Sequence, residues 1–212
     1  MIFDKHARDH SFVCVLTRPK GMRFAAFSDF IRLGETFYTY VKTGKWDYQP
    51  FSHVVMLYKN NYTQNVQAAQ ASGSYVNCMH WDVMLPKIVA VKAWHLPAMG
   101  ADDRRAYHTW LEQQFGKKYA KTQVFGTLLA KAKELITGRK HANPFRNGDY
   151  LMYCVELVAR SVKKAYHADI KIDYESALTS EVPIIMQAVE GARELNAEEI
   201  AALNKGGECL FQ

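Results

Sequence analysis

The residue types with the most chemical potential gather around Cys154, in the stretch Cys154-Val-Glu-Leu-Val-Ala-Arg-Ser-Val162-Lys-Lys-Ala165. Leu157, Val158, Ser161, Val162 and Ala165 recur three, four, seven, eight and eleven positions beyond the cysteine, while Glu156, Arg160, Lys163 and Lys164 fall elsewhere. That spacing predicts an amphipathic helix with the thiol heading its buried stripe. A thiol in a first turn meets unpaired backbone N–H groups and the positive end of the helix dipole, which lower its pKa and make it a better nucleophile. Free cysteine is also among the most buried residue types, so the helix alone suits a core position as well, and chemistry needs a partner base. His53 is the candidate. It opens the apolar run Val54-Val-Met-Leu-Tyr58 and lies far from Cys154 in sequence, so only the fold can bring the two together.

A second thiol competes for the role. Cys78 stands in Asn77-Cys-Met-His-Trp81, within a run that reads as strand, and the span from His53 to Cys78 has room for little more than one hairpin. Cys78 and His80 could also contribute to a metal site, but two ligands with no second cluster are a weak set. No sequence motif singles out His95, His108 or His141, and they are read as surface or core residues.

Ser52-His53-Val54-Val55, then Gln-Ala and Gly73, then Tyr153-Cys154-Val-Glu-Leu-Val158 together resemble the circularly permuted branch of the NlpC/P60 papain-like cysteine hydrolases. Phe115-Gly-Lys-Lys-Tyr119 is similar to a Leu-Gly-Lys-Pro-Tyr segment of that branch, and the likeness covers roughly residues 50 to 165. The chain departs from the family pattern at Val155, where a serine is usual, and at Val55, where a glycine is usual. The resemblance implies Cys154 as nucleophile, His53 as its imidazole partner, and Gln70, with Gln67 as the alternative, as the third, orienting group. The Cys154 backbone N–H would be an oxyanion donor. Asn77-Cys78-Met-His80 is similar to the cysteine box of the related lecithin:retinol acyltransferase-like proteins, which keeps Cys78 as the alternative nucleophile. The implied reaction is acyl transfer at an amide or ester of a peptide, a cell-wall peptide or a lipid-like acyl substrate, with no cofactor and no metal. The competing expectation is an inactive binding protein on the same fold with an anionic partner.

The elements that must position these residues are legible in outline. Ser11 to Thr17 reads as a strand closed by a turn at Arg18-Pro-Lys-Gly21, and Phe24 to Leu33 as a short helix ended by Gly34. Residues 45–50 read as an aromatic loop. Strands are expected at residues 54–58, within 63–71, at 74–79 and at 88–95, with a turn at Lys59-Asn-Asn61 after the first of these. Helices are expected from Asp102 or Asp103 to Phe115, at 121–137, from Cys154, at 183–194 and at 197–203, the last with Asn196 and Glu199 as a capping box. A loop over 138–148 delivers the chain to Cys154. The expected class is α+β: one papain-like domain over 1–205, its mostly antiparallel sheet packed on the helix that carries the cysteine, and a loose tail at 206–212.

The totals narrow the setting. A chain of 212 residues can bury a full core, and 49% hydrophobic with 23% charged residues is ordinary globular composition. No apolar run reaches membrane-spanning length. The first ten residues mix both charge signs without an apolar stretch, so no secretory signal is read and a cytoplasmic setting is expected, with export by another route left open. Four scattered cysteines without CxxC pairs argue against a zinc ribbon or a disulfide framework. The net charge of +6 suits an anionic partner, such as nucleic acid, a membrane surface or a cell-wall polymer, but no basic run or nucleic-acid motif accompanies it.

Overall fold

The computed structural model describes residues 12–19, 22–59, 65–145 and 151–205. The expected turns at Lys20-Gly21 and Asn60-Asn61, the end of the 138–148 loop, Cys209 and the 206–212 tail lie outside the described residues. The chain runs β1 (Phe12–Pro19), α1 (Met22–Thr43), β2 (His53–Lys59), β3 (Val66–Ser72), β4 (Tyr75–His80), α2 (Trp81–Met84), β5 (Ile88–Leu96), α3 (Ala101–Gln114) and β6 (Lys118–Tyr119). It continues through α4 (Lys121–Thr137), β7 (Leu151–Met152), α5 (Cys154–Tyr166), α6 (Val182–Gln187), β8 (Arg193–Glu194) and α7 (Ala197–Leu203). Among the described residues the strands form one sheet in the order β7-β6-β4-β3-β2-β1-β5-β8, antiparallel throughout except where β6 meets β7. The class is therefore α+β with a mixed sheet.

Period-two alternation splits the core into two. Cys14, Leu16, Val54, Met56, Ala69 and Ala71 face α5, where Leu157, Val158, Val162 and Ala165 complete the layer. Val13, Val15, Val55, Leu57 and Ala68 face the other way, onto Trp81, Met84 and Leu203. The Trp81 indole N–H donates to the Leu203 carbonyl at 2.9 Å, tying α2 to the end of α7. Both faces of the sheet are thus covered, and helix α5 packs on one of them with Lys163 and Lys164 left exposed. Glu156, expected to turn outward, is 1% exposed; it is held by Arg160 and by the Gln123 amide of α4 at 3.0 Å.

Two expectations are corrected. Helix α1 does not stop at Gly34 but runs on to Thr43. Ile31, Glu35 and Tyr38 form its buried stripe. Gly34 is there for close packing: a Cβ would lie 2.9 Å from Leu128 Cδ2 of α4. The helix expected over 183–194 ends at Gln187, and after Gly191, at φ 81°, the chain adds β8 beside β5. Helices α3, α4, α5 and α7 match their expected spans to within a residue or two, α2 was not expected, and the capping box at Asn196 and Glu199 is formed.

Candidate active site at the start of α5

The ladder between β2 and β3 pairs Met56 to Lys59 with Ala69 to Val66, and stops there. Residues 53–55 and 70–72 are not paired with one another, so the two strands open into a wedge. Cys154, the first residue of α5, lies against its β2 side, at Val54. The backbone N–H of Val54, with those of Val155 and Cys154 itself, hydrogen-bonds the sulfur and favours its thiolate. The helix start supplies two of these donors and the released strand the third. Tyr153, just before the helix, anchors the entry: its hydroxyl donates to the Tyr174 carbonyl at 2.7 Å and accepts from the Ala177 N–H at 2.9 Å.

Across the mouth of the wedge, His53 Nε2 meets Gln70 Oε1 at 2.9 Å. The amide oxygen can only accept, so Nε2 carries the proton and Nδ1 is the free lone pair. Burial pushes the imidazole below its ordinary pKa, against the opposing effect of the Gln70 bond, so the ring is neutral at pH 7 and able to take a proton. The thiol touches the backbone of the residue that follows His53, but no hydrogen bond joins sulfur to imidazole. Gln67, the alternative orienting group, is engaged elsewhere: its Oε1 accepts from the Tyr58 hydroxyl at 3.0 Å and from Cys78 at 3.2 Å. Cys78 also lies 3.0 Å from the Tyr58 hydroxyl, and no imidazole is bonded to it. Among the described residues no group of three His, Cys, Asp or Glu side chains is placed to hold a metal.

The resting thiol differs from the reactive one expected of a first turn. Cys154 is 4% exposed, and burial pushes its pKa up to about 11, outweighing the three N–H groups. The sulfur borders a cavity of about 20 Å³, room for roughly one water. Ile31 and Glu35 of α1, Val124 and Leu128 of α4, and Tyr119 also line it. Glu35 has no counterpart in the sequence reading. Its carboxylate is 1% exposed, accepts from the backbone N–H groups of Thr179 at 2.8 Å and Ser180 at 3.0 Å, and is bonded by the Thr179 hydroxyl. Burial outweighs these donors and raises its pKa to about 7. When ionised, it also disfavours the thiolate. Its signal was a carboxylate in the stripe Ile31-Glu35-Tyr38, visible once α1 is continued past Gly34.

No family model matches the chain, and no curated protein or solved structure does. No helix among the described residues is long and apolar enough to cross a membrane.

Proposed function

We propose that the chain is a thiol-dependent acyl-transfer enzyme, a hydrolase or acyltransferase, with the papain-like arrangement its motifs resemble. One observation carries the reading: the Cys154 sulfur accepts from the N–H of Val54, the residue that follows His53, whose Nε2 is held by Gln70 and whose Nδ1 is left as the base. Because the thiol is protonated at rest, deprotonation accompanies attack. In the proposed step Nδ1 takes the thiol proton as sulfur bonds to the carbonyl carbon, and the Cys154 N–H exchanges its bond to the sulfur for one to the oxyanion. The imidazolium then protonates the departing amine or alcohol as the carbon–heteroatom bond breaks. Water or another acceptor, deprotonated by His53, releases the acyl group and restores the thiol. The cavity at rest is small, so substrate enters by displacing its lining, and a peptide, a cell-wall peptide or a lipid-like acyl group remain the classes for trial.

The buried, high-pKa thiol favours a second reading, in which Cys154 packs the core of a binding protein with an anionic partner. Acylation by p-nitrophenyl acetate, located by mass spectrometry, separates the two. The enzyme reading expects an acetyl group on Cys154 and at least a hundredfold slower acylation in His53→Ala. Acetylation of Cys78 instead, or a rate indifferent to His53, overturns it. Salt-sensitive association with polyanions that survives Cys154→Ala then supports the binding protein.

A further inference from the structure

Helices α1 and α4 lie side by side and parallel: Phe30 stacks on Phe125 at 6.4 Å, Gly34 abuts Leu128, and the Tyr38 hydroxyl reaches Glu134. Their inner faces line the Cys154 cavity, yet their outer faces are apolar too. On α1 the exposed stripe is Phe30, Leu33, Phe37 and Val41, at spacings of three and four. On α4 it is Phe125, Leu129 and Ile136, the last 84% exposed. A helix apolar on both faces is expected to be covered on both. The α1 stripe alone extends about 17 Å along its axis, and contiguous apolar surface spanning two helices marks a contact site rather than scattered exposure.

Charge says what kind of contact. Because the helices are parallel, their C-terminal ends coincide. Lys42 and Lys45 on one side and Lys133, Arg139 and Lys140 on the other are all exposed at that end, where Asp47 is the exposed acid among them. Trp46 is exposed at the same edge and packs against Tyr40 at 5.2 Å. Aromatic and aliphatic side chains bordered by lysines and arginines match the acyl–headgroup boundary of an anionic bilayer, which supplies apolar depth and negative charge together. A second copy would meet the apolar stripe but bring the same cations and the same net charge of +6.

We propose that the outer face of α1 and α4 is a docking surface for an anionic lipid bilayer, with the apolar stripes seated at the acyl boundary and the basic end on the headgroups. This is independent of the chemistry at Cys154. The test is co-sedimentation of the full chain with phosphatidylcholine vesicles, with and without phosphatidylserine. Binding is expected with phosphatidylserine, weakened by salt, and accompanied by a blue shift in tryptophan fluorescence. Leu33→Asn, Phe37→Asn and Ile136→Asn combined should weaken binding at least tenfold with unchanged circular dichroism and Tm. Reversal of Lys45, Lys133 and Lys140 to glutamate should cost about fivefold or more for each charge. Failure to sediment with either vesicle overturns the proposal, as does binding that both variants retain. A concentration-dependent dimer abolished by the asparagine variant, without vesicle binding, assigns the face to a second copy instead.

Discussion

At the scale of single residues, the site turns on which amide holds the imidazole and which charge sees the thiol. Gln70 bonds His53, whereas Gln67 belongs to Tyr58 and Cys78. Gln70→Ala is therefore expected to slow acylation of Cys154 by about tenfold or more through lost tautomer control, and Gln67→Ala to leave it within about twofold. Acylation rates of the two variants decide this. Glu35 supplies the second case. Its carboxylate raises the thiol pKa, so Glu35→Gln should shift the pH profile of Cys154 alkylation to lower pH, while Cys78 alkylation stays where it was. The cysteine, the histidine and both glutamines were legible because their types and order were enough to nominate them. The resemblance also ranks Gln70 ahead of Gln67, but the physical basis of that choice, the place where the β2–β3 ladder ends, was not legible. Nor was Glu35, whose partners Thr179 and Ser180 lie far along the chain.

At the scale of elements, strands and helices were legible wherever periodicity was unbroken: β2, β5, α4 and α5 all emerge near their expected spans. Misreadings fell where glycine has two meanings. Gly34 reads as a stop from local propensity, but its tertiary use is close contact with Leu128, and α1 passes straight through it. Gly126 in α4 has a similar use. The buried Asn143 side chain crosses there, donating to the Gln123 carbonyl at 2.7 Å and to Thr127 Oγ1 at 3.0 Å. A Cβ on residue 126 would lie 2.0 Å from Asn143 Oδ1. Gly126→Ala should therefore displace Asn143 and cost about 2 kcal/mol or more, despite the better helix propensity of alanine, whereas Gly34→Ala meets only the flexible end of a leucine and should cost about 1 kcal/mol. Chemical denaturation of the two variants, with unchanged m-values, measures the difference.

At the scale of the whole molecule, two buried carboxyls couple stability to pH. Burial raises both Glu35 and Glu156 from 4.5 to about 7. The folded state therefore holds protons that the unfolded chain has released, and their contribution to stability, complete below about pH 4.5, is lost as pH rises through about 7. For Glu35 the span corresponds to something on the order of 3 kcal/mol. Glu35→Gln should consequently gain Tm relative to the parent between pH 5 and pH 8, and a flat difference across that range would contradict the assignment. The α+β class was legible in the sequence at this scale because runs of strands precede runs of helices. The apolar outer face of α1 and α4 was not, since both helices read alone as half-buried elements, and only their pairing reveals which stripes remain uncovered. The place where the β2–β3 ladder ends has one more consequence. The Val54 amide hydrogen, which a continuing ladder would have sealed, is protected by a side-chain sulfur, so its deuterium exchange becomes a direct reporter of the thiol. Exchange at Val54 should accelerate in Cys154→Ala while Val55 and Leu57, paired with β1, keep their protection, giving a view of the site that requires no substrate.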